Sequence, residues 1–356
     1  MERPRPGNAA RVTRREATLV VGGSAGSIEA LVEIVARLPA DLPAAVLVSV
    51  HVGGGSRSSL PKILERAGRL PAGHARQGEP LLPGRIYVAP PDLHLLTVEG
   101  TTRLSSGPRV NRHRPAVDVM FASAARWGGR RVVALVLSGV LDDGAVGAAL
   151  VARGGGRVLV QDPADALFDS MPRAALSAVP GAVTAPAAGL AEVIGTTFDD
   201  LLSERAGTTV GGEGEPEMAD VRMGDSDDPG FLSADEVRHT RLSCPECSGG
   251  LAEVEMMTIR YYRCHVGHQY SPQSLEAAQR EAVEAKLWAA AAALEEHAAL
   301  ARHLALAARS GTGIDDGAAE GYRRVADRSS HTARSLLSSL NDREAGAPLL
   351  DPGKSA

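Results

Sequence analysis

The sequence predicts an α/β protein built on a doubly wound, mainly parallel sheet with flanking helices, followed by a small cysteine-bearing segment and a C-terminal helical hairpin. Three observations predict it. Five short runs rich in Val, Leu and Ile (18–23, 44–50, 85–90, 130–139 and 156–162) alternate with helix-length stretches such as Ser27–Leu38 and Pro115–Trp127. Unbroken apolar runs of this length suit strands buried on both faces, and their alternation with helices suits a parallel sheet. All three cysteines fall between 244 and 264. Beyond residue 274, apolar positions recur at three- and four-residue spacing, the period of an amphipathic helix.

The composition narrows the function. With 356 residues the chain suits about two domains. Hydrophobic residues make up 44% and charged residues 23%, so a core can be buried. Aromatics at 3% and a net charge of −5 argue against a nucleic-acid partner, which would call for stacking rings or a basic face. No apolar run reaches the roughly 18 residues of a membrane span, so no insertion into a membrane is expected. The N-terminus MERPRPGNAARVTRREA lacks the apolar core of a secretory signal. The expected compartment is therefore the reducing cytoplasm, where an odd number of cysteines containing one CxxC suits a metal better than disulfides.

Taken in order, residues 1–16 read as a disordered basic tail and 17–203 as the sheet domain. Within it, HLLTVEGTTRLSS (94–106) has a Glu-Gly turn between two extended arms and reads as a hairpin. Residues 204–238 carry ten acids against three arginines and read as a flexible acidic linker. A cysteine segment spans 239–273. A helical hairpin, broken near GTGIDDG (311–317), spans 274–345, and 346–356 form a second disordered tail.

Three groups stand just past predicted strands. GGSAGS (22–27) puts Ser24 in a glycine-permitted turn at a helix N-terminus, where free N–H groups point outward. His51 closes AAVLVSV, and LDDG (141–144) follows VVALVLSGV. In open α/β sheets ligands bind beyond the carboxyl ends of the strands, so the three groups can converge. A serine hydroxyl needs a base, and a histidine needs a carboxylate to fix its tautomer. Ser24, His51 and one of Asp142 and Asp143 supply these types. Taken singly, the loop also suits a phosphate cradle, the histidine a structural role, and the Asp pair a helix cap. No histidine lies between His113 and His239, so the Ser–Asp–His order of an α/β-hydrolase is not available to this domain.

These residues resemble the catalytic domain of CheB-type protein-glutamate methylesterases. VVGGSAGSIEAL resembles the family's nucleophile loop, and VSVHVGGGS the segment with its catalytic histidine. LVLSGVLDDGAVG resembles the stretch with its aspartate, where the final Asp-Gly selects Asp143. PGRIYVAPPDLHLL, GPRVNRHRPAVDVMFASAA and ALFDSMPRAAL are similar to further family signatures. The resemblance implies hydrolysis of glutamate methyl esters on chemoreceptors, with glutamine deamidation in some members. Ser24 would be the nucleophile, His51 the base and Asp143 its partner, with backbone N–H groups at Ala25 and Val140 holding the oxyanion. Catalysis would need no metal or organic cofactor. Ser27 stands where the family usually has glycine, Ser138-Gly139-Val140-Leu141 where it often has TGMG, and Asp169-Ser170 where it has Phe-Gly. Arg112, His113 and Arg173 suit substrate contacts or solvated surface equally. Well-known members carry an N-terminal receiver domain, and with about 16 residues before the first strand, gating by such a domain is not expected here.

Cys244-Pro-Glu-Cys247, followed after 16 residues by Cys264-His265-Val266-Gly267-His268, resembles a small zinc ribbon. Cys244, Cys247, Cys264 and His268 would form a closed structural site, with His265 as the alternate fourth ligand. The segment has few large apolar residues and would need such a staple. Chelation is expected to unfold residues 240–270 and to spare hydrolysis. In the hairpin, Val283, Leu287, Ala291, Leu294, Ala298, Ala301 and Leu304 form the predicted inner stripe, while His297 and His303 read as solvated. A second functional reading is a scaffold that recruits a kinase or methyltransferase through these helices. The complete Ser24, His51 and Asp143 set favours an enzyme.

Overall fold

The computed structural model describes residues 17–51, 58–203, 236–256, 259–310 and 316–346. The expected tails, apart from Gly346, and residues 204–235 of the expected linker lie outside them. The chain through Leu275 forms one compact unit and the chain from Glu276 a second.

The first unit opens with β1 (Ala17–Gly23), α1 (Ser27–Arg37) and β2 (Ala44–Val50), then α2 (Leu60–Ala67), β3 (Ala72–His74) and β4 (Ile86–Val88). A hairpin of β5 (His94–Val98) and β6 (Thr101–Ser105) precedes α3 (Val117–Gly128), β7 (Val132–Val136), α4 (Ala145–Arg153) and β8 (Arg157–Gln161). Next come α5 (Ser170–Ala178), β9 (Val183–Ala185) and α6 (Ala187–Ser203). The seven-stranded sheet runs β3-β4-β2-β1-β7-β8-β9 and its pairings are parallel. The chain leaves β1 toward β2 on one side and later returns to pair β7 on the other. The carboxyl end of β1 is thus a topological switch point, where a crevice opens.

Strand alternation builds two apolar layers. Val20, Leu47, Ala134 and Val136 pack with Met120 and Phe121 of α3, while Leu19, Val21, Val48 and Leu135 pack with Leu31, Ile34, Leu190 and Phe198 of α1 and α6. The expected hairpin is present, and its turn residues Glu99 and Gly100 both have positive φ (49° and 79°), as a two-residue type I′ turn requires.

The cysteine segment forms a four-stranded antiparallel sheet of β10 (Glu236–Ser243), β11 (Gly250–Met256), β12 (Ile259–Cys264) and β13 (Gln269–Tyr270). β10 begins within the span read as linker. Val254 and Tyr261 join the apolar layer that contains Phe121, so this sheet shares the core of the first unit. The expectation of a separable staple gives way here. A segment with so few large apolar residues cannot bury a core of its own, and it completes one by packing on its neighbour.

Two long helices follow, α7 (Pro272–Ser310) and α8 (Asp316–Gly346). Within the second unit Ala291, Ala298 and Ala305 are buried, as are Ala319, Ala326, Ala333 and Leu340. Both sets repeat every seven residues, the mark of a coiled-coil seam. The predicted stripe is corrected at Val283 and Leu304, which are exposed. The seam is mostly small alanines, while Val283 and Leu304 fall outside it. His297 and His303 are exposed as expected, and His297 Nδ1 lies 3.1 Å from Ser329 Oγ.

His94 on β5 is buried within this frame. Its Nε2–H donates to Pro108 O at 2.9 Å, and its Nδ1 accepts from Ala116 N–H at 3.2 Å. Burial pushes its pKa from 6.5 down to about 4. Between those values the unfolded chain binds a proton that the folded one refuses, so stability should fall by about 3 kcal/mol as pH drops through the window. We expect His94→Gln to flatten the fall in melting temperature between pH 7 and 4.5. An unchanged slope would assign that acid sensitivity to other groups.

Candidate active site

Ser24 stands in the turn between β1 and α1. Its backbone N–H donates to Ser138 O at 2.9 Å, and its carbonyl accepts from Ser27 N–H at 3.1 Å and Ser27 Oγ–H at 2.6 Å. Ser27 is therefore absorbed where a glycine was expected, because its buried hydroxyl closes the turn. The glycine that matters is Gly26, with φ +72° and room for no Cβ: one would come 2.8 Å from Leu167 Cβ. His51 directly follows β2, and Asp143 follows β7. The three strands are adjacent, so their carboxyl ends bring the three side chains together.

His51 Nδ1 lies 3.1 Å from Ser24 Oγ, and Nε2 lies 2.7 Å from Asp143 Oδ2. Among the described residues Asp143 also accepts from Val117 N–H (2.7 Å), Asp118 N–H (3.1 Å) and Asn111 Nδ2 (3.1 Å). Burial alone would raise its pKa. The hydrogen bond and charge of His51, the nearby His113 and the Val117 N–H outweigh burial and hold the carboxyl well below the usual carboxylate range. An ionised carboxylate only accepts, so Nε2 carries the imidazole proton and Nδ1 presents its lone pair to Ser24. The ring is end for end relative to the arrangement in which Nε2 faces the serine, and either nitrogen can act as the base.

The alternative aspartate is placed elsewhere. Asp142 Oδ1 accepts from Ser271 Oγ–H (2.8 Å) and Ser274 Oγ–H (3.1 Å). The backbone N–H groups of Ala25 and Val140 have no hydrogen-bond partner among the described residues. Their loops are tied into one layer. Ser138 Oγ–H donates to Ala25 O at 2.9 Å, Gly139 N–H donates to Phe168 O at 2.9 Å, and Met171 N–H donates to Gly139 O at 3.0 Å.

Sequence reading left Arg112, His113 and Arg173 open. The His113 ring stacks on His51 with centroids 3.5 Å apart. Burial, with the neighbouring His51 charge, pushes the His113 pKa down to about 4, so it stays neutral near pH 7. Arg112 lines an open cleft of about 420 Å³ with Ser24, Arg109, His113, Val140, Leu141 and Glu246. Arg173 does not line it, and pairs instead with Asp169 at 2.6 Å. Sequence reading missed Asn111, Asp118 and Glu246. Asn111 and Asp118 lie inside the GPRVNRHRPAVDVMF signature, which marked the stretch without assigning them a task. Asp118 is buried, and accepts from Gly144 N–H (2.9 Å), Gly147 N–H (2.7 Å) and Asn111 Nδ2 (2.9 Å). Burial and the Asp143 charge push its pKa well above the usual range.

Cys244, Cys247, Cys264 and His268 bring one ligand atom each within 4.8 Å of one another. The Cys247–Cys264 sulfurs are 3.6 Å apart, and His268 Nδ1 lies 3.7 and 3.5 Å from the Cys244 and Cys264 sulfurs. Tetrahedral zinc, with bonds of about 2.1–2.3 Å, requires edges of about 3.4–3.8 Å. A disulfide requires about 2.05 Å. The cluster therefore fits a metal and takes His268, while His265 stands against Gly249. His268 Nε2 faces Glu246 at 3.4 Å, the kind of outer carboxylate that orients a ligating imidazole.

A family model described as CheB methylesterase matches residues 19–194. The protein-glutamate methylesterase/protein-glutamine glutaminase 2 of Anaeromyxobacter dehalogenans is 40% identical over 171 residues, 48% of this chain and 49% of that one. The protein-glutamate methylesterase/protein-glutamine glutaminase of Thiobacillus denitrificans is 38% identical over 170 residues, 47% and 48% of the two chains. The chain thus spans about half the length of the curated relatives it matches. The crystal structure of the Thermotoga maritima CheB methylesterase catalytic domain aligns with a TM-score of 0.48 at 30% identity, over 50% of this chain and 97% of that one.

Gly139 tests the packing of this site. A Cβ there would collide with Met171 Sδ and come 2.9 Å from the Ser24 Cβ. We expect Gly139→Ala to destabilise the fold by about 1–3 kcal/mol and to slow labelling of Ser24 by a serine-reactive phosphonate at least tenfold. Wild-type labelling would show that the serine loop does not need this close approach.

Proposed function

We propose, from the match of residues 19–194 to the CheB methylesterase family model, that the protein is a serine hydrolase that removes methyl esters from glutamate side chains of a chemoreceptor-like protein. The observation that carries the reading is His51, set 3.1 Å from Ser24 and 2.7 Å from a buried, ionised Asp143. His51 Nδ1 takes the Ser24 proton as Oγ attacks the ester carbonyl. The Ala25 and Val140 N–H groups face the developing oxyanion, and such donors matter most where charge appears in the transition state. The protonated imidazole gives its proton to the departing methoxide, and methanol leaves. Water, deprotonated by the same nitrogen, then attacks the acyl-enzyme; the imidazolium returns its proton to the departing Ser24 Oγ, and the substrate's glutamate carboxylate is released. The same steps on a glutamine side chain release ammonia. This chemistry asks for no metal or organic cofactor.

Zinc at Cys244, Cys247, Cys264 and His268 is our reading of the cysteine cluster, in a structural role because four protein ligands close the site. A reducing cytoplasm, where thiols persist, is the matching compartment. Among the described residues no helix is long and apolar enough to cross a membrane. On α7, Val283, Trp288, Leu300 and Leu306 are exposed, and we assign this surface to a kinase or methyltransferase of the same signalling pathway.

Ser24→Ala should abolish methanol release from methylated chemoreceptor fragments while leaving the melting temperature unchanged. Turnover near that of the wild type would remove Ser24 from the nucleophile's role. Protein purified under reducing conditions should contain one zinc per chain by elemental analysis. A Cys247→Ser variant with undiminished zinc would overturn the ligand set.

A further inference from the structure

We propose that the cysteine sheet is a working part of the hydrolase: its exit strand, Gln269–Ser271, positions the Asp143 carboxylate through Asn111, and the cysteine–histidine cluster anchors that strand. The inference rests on the esterase reading for its consequence, and on hydrogen bonds for its argument.

Asn111 is the hinge of the connection. It sits with Arg112 in a two-residue turn between Val110 and His113, and both have positive φ (50° and 72°). Asn adopts that conformation more readily than other non-glycine residues, whereas Arg112 does so at a cost that its surroundings must offset. The strand holds the turn in place. Asn111 N–H donates to Gln269 O at 2.9 Å, and Gln269 N–H donates to Arg109 O at 3.3 Å. The Ser271 N–H donates to Asn111 Oδ1 at 2.9 Å. This last bond fixes which way the amide points. With its oxygen turned to Ser271, its NH2 group faces Asp118 Oδ2 (2.9 Å) and Asp143 Oδ1 (3.1 Å). Freed from Ser271, the amide loses the contact on its oxygen side and holds Asp143 less firmly.

Three further contacts run from the cysteine sheet and the start of α7 to Asp142 and Asp118. Ser271 Oγ and Ser274 Oγ donate to Asp142, the neighbour of Asp143 in the chain. Tyr261 of β12 is buried and hydrogen-bonds Asp118. Three carboxyl groups thus share one buried region, where each donor decides which of them can stay charged.

The strand is anchored at its start by the cluster. Cys264 ends β12 and His268 directly precedes β13; Cys264 N–H donates to His268 O at 3.1 Å. Glu246, between the first two cysteines, accepts from Tyr270 Oη at 2.9 Å and also lines the cleft at Ser24. Asn111 touches neither substrate nor the reacting atoms in this scheme. It is a positioning residue, and the cluster acts through it.

The test uses the full chain, zinc-loaded and chelator-stripped under reducing conditions, with two readouts. One is the rate at which a fluorophosphonate labels Ser24. The other is the NMR signal of the His51 Nε2 proton bonded to Asp143. On stripping, labelling should fall at least tenfold and the His51 signal should broaden or vanish, and zinc should restore both. Because stripping can loosen the whole sheet, Asn111→Ala and Asn111→Leu provide the second arm, with zinc retained: both remove the amide that joins the Ser271 N–H to Asp143. Each should lower kcat three- to tenfold with KM unchanged. Stripped protein that labels at the loaded rate with an unchanged His51 signal overturns the proposal, as do variants with wild-type kcat. A loaded protein that does not label, yet whose His51 signal follows zinc, upholds the positioning and overturns the esterase reading instead.

Discussion

The ionised Asp143 carboxylate is the constraint on which the rest of this structure depends. A buried charge costs several kcal/mol unless donors replace the water it has lost. His51, the Val117 and Asp118 N–H groups and the Asn111 amide are those donors. Each fixes a different element. His51 ties Asp143 to the end of β2. Val117 and Asp118 set it against the N-terminus of α3, where the helix dipole favours negative charge. Asn111 ties it to a strained turn and, through that turn, to the cysteine sheet. Moving any of these elements would leave a buried charge short of a partner.

The same constraint divides labour among neighbouring acids. Asp118 lies beside Asp143, and two like charges so close do not both ionise readily. Asp143 keeps its charge because a histidine faces it. Asp118, buried and beside the Asp143 charge, has backbone N–H groups and an amide but no imidazole, and its pKa rises. Asp142 turns to two serine hydroxyls. Three acids within one signature-rich region therefore do three different jobs, which only their partners distinguish.

That explains what the sequence could and could not disclose. β1, β2, β7 and β8 were legible because strands buried on both faces must be apolar throughout, and Ser24, His51 and the Asp pair were legible because a parallel sheet gathers residues at its carboxyl ends. The three-residue strands β3 and β9 at the sheet edges leave too short a pattern to read. Spacing could not choose between Asp142 and Asp143, since the choice rests on which one meets an imidazole; only the family resemblance favoured Asp143. Asn111 was invisible as a positioning group, because its partner Ser271 lies 160 residues away in the chain. The alanine seam of α7 and α8 was partly misread, because hydropathy ranks Val283 and Leu304 above the alanines that are buried.

The cysteine sheet is where local reading and tertiary structure part most clearly. CxxC and C-x3-H spacing reports a metal site, and a metal site suggests an independent staple. Yet metal closure fixes only the turns that hold the ligands. The outer strands still need an apolar surface to rest on, and Val254 and Tyr261 find it in the apolar layer that includes Phe121 of α3. A sheet docked in that way cannot swing aside as a bead on a linker without opening its host's core. Its influence on the cleft must pass through fixed contacts, the Glu246 carboxylate at the rim and the Ser271 N–H behind Asp143. Stability and site geometry are therefore coupled: Val254 and Tyr261 seat the sheet on its host, and the seated sheet carries the Ser271 N–H that meets Asn111 behind Asp143.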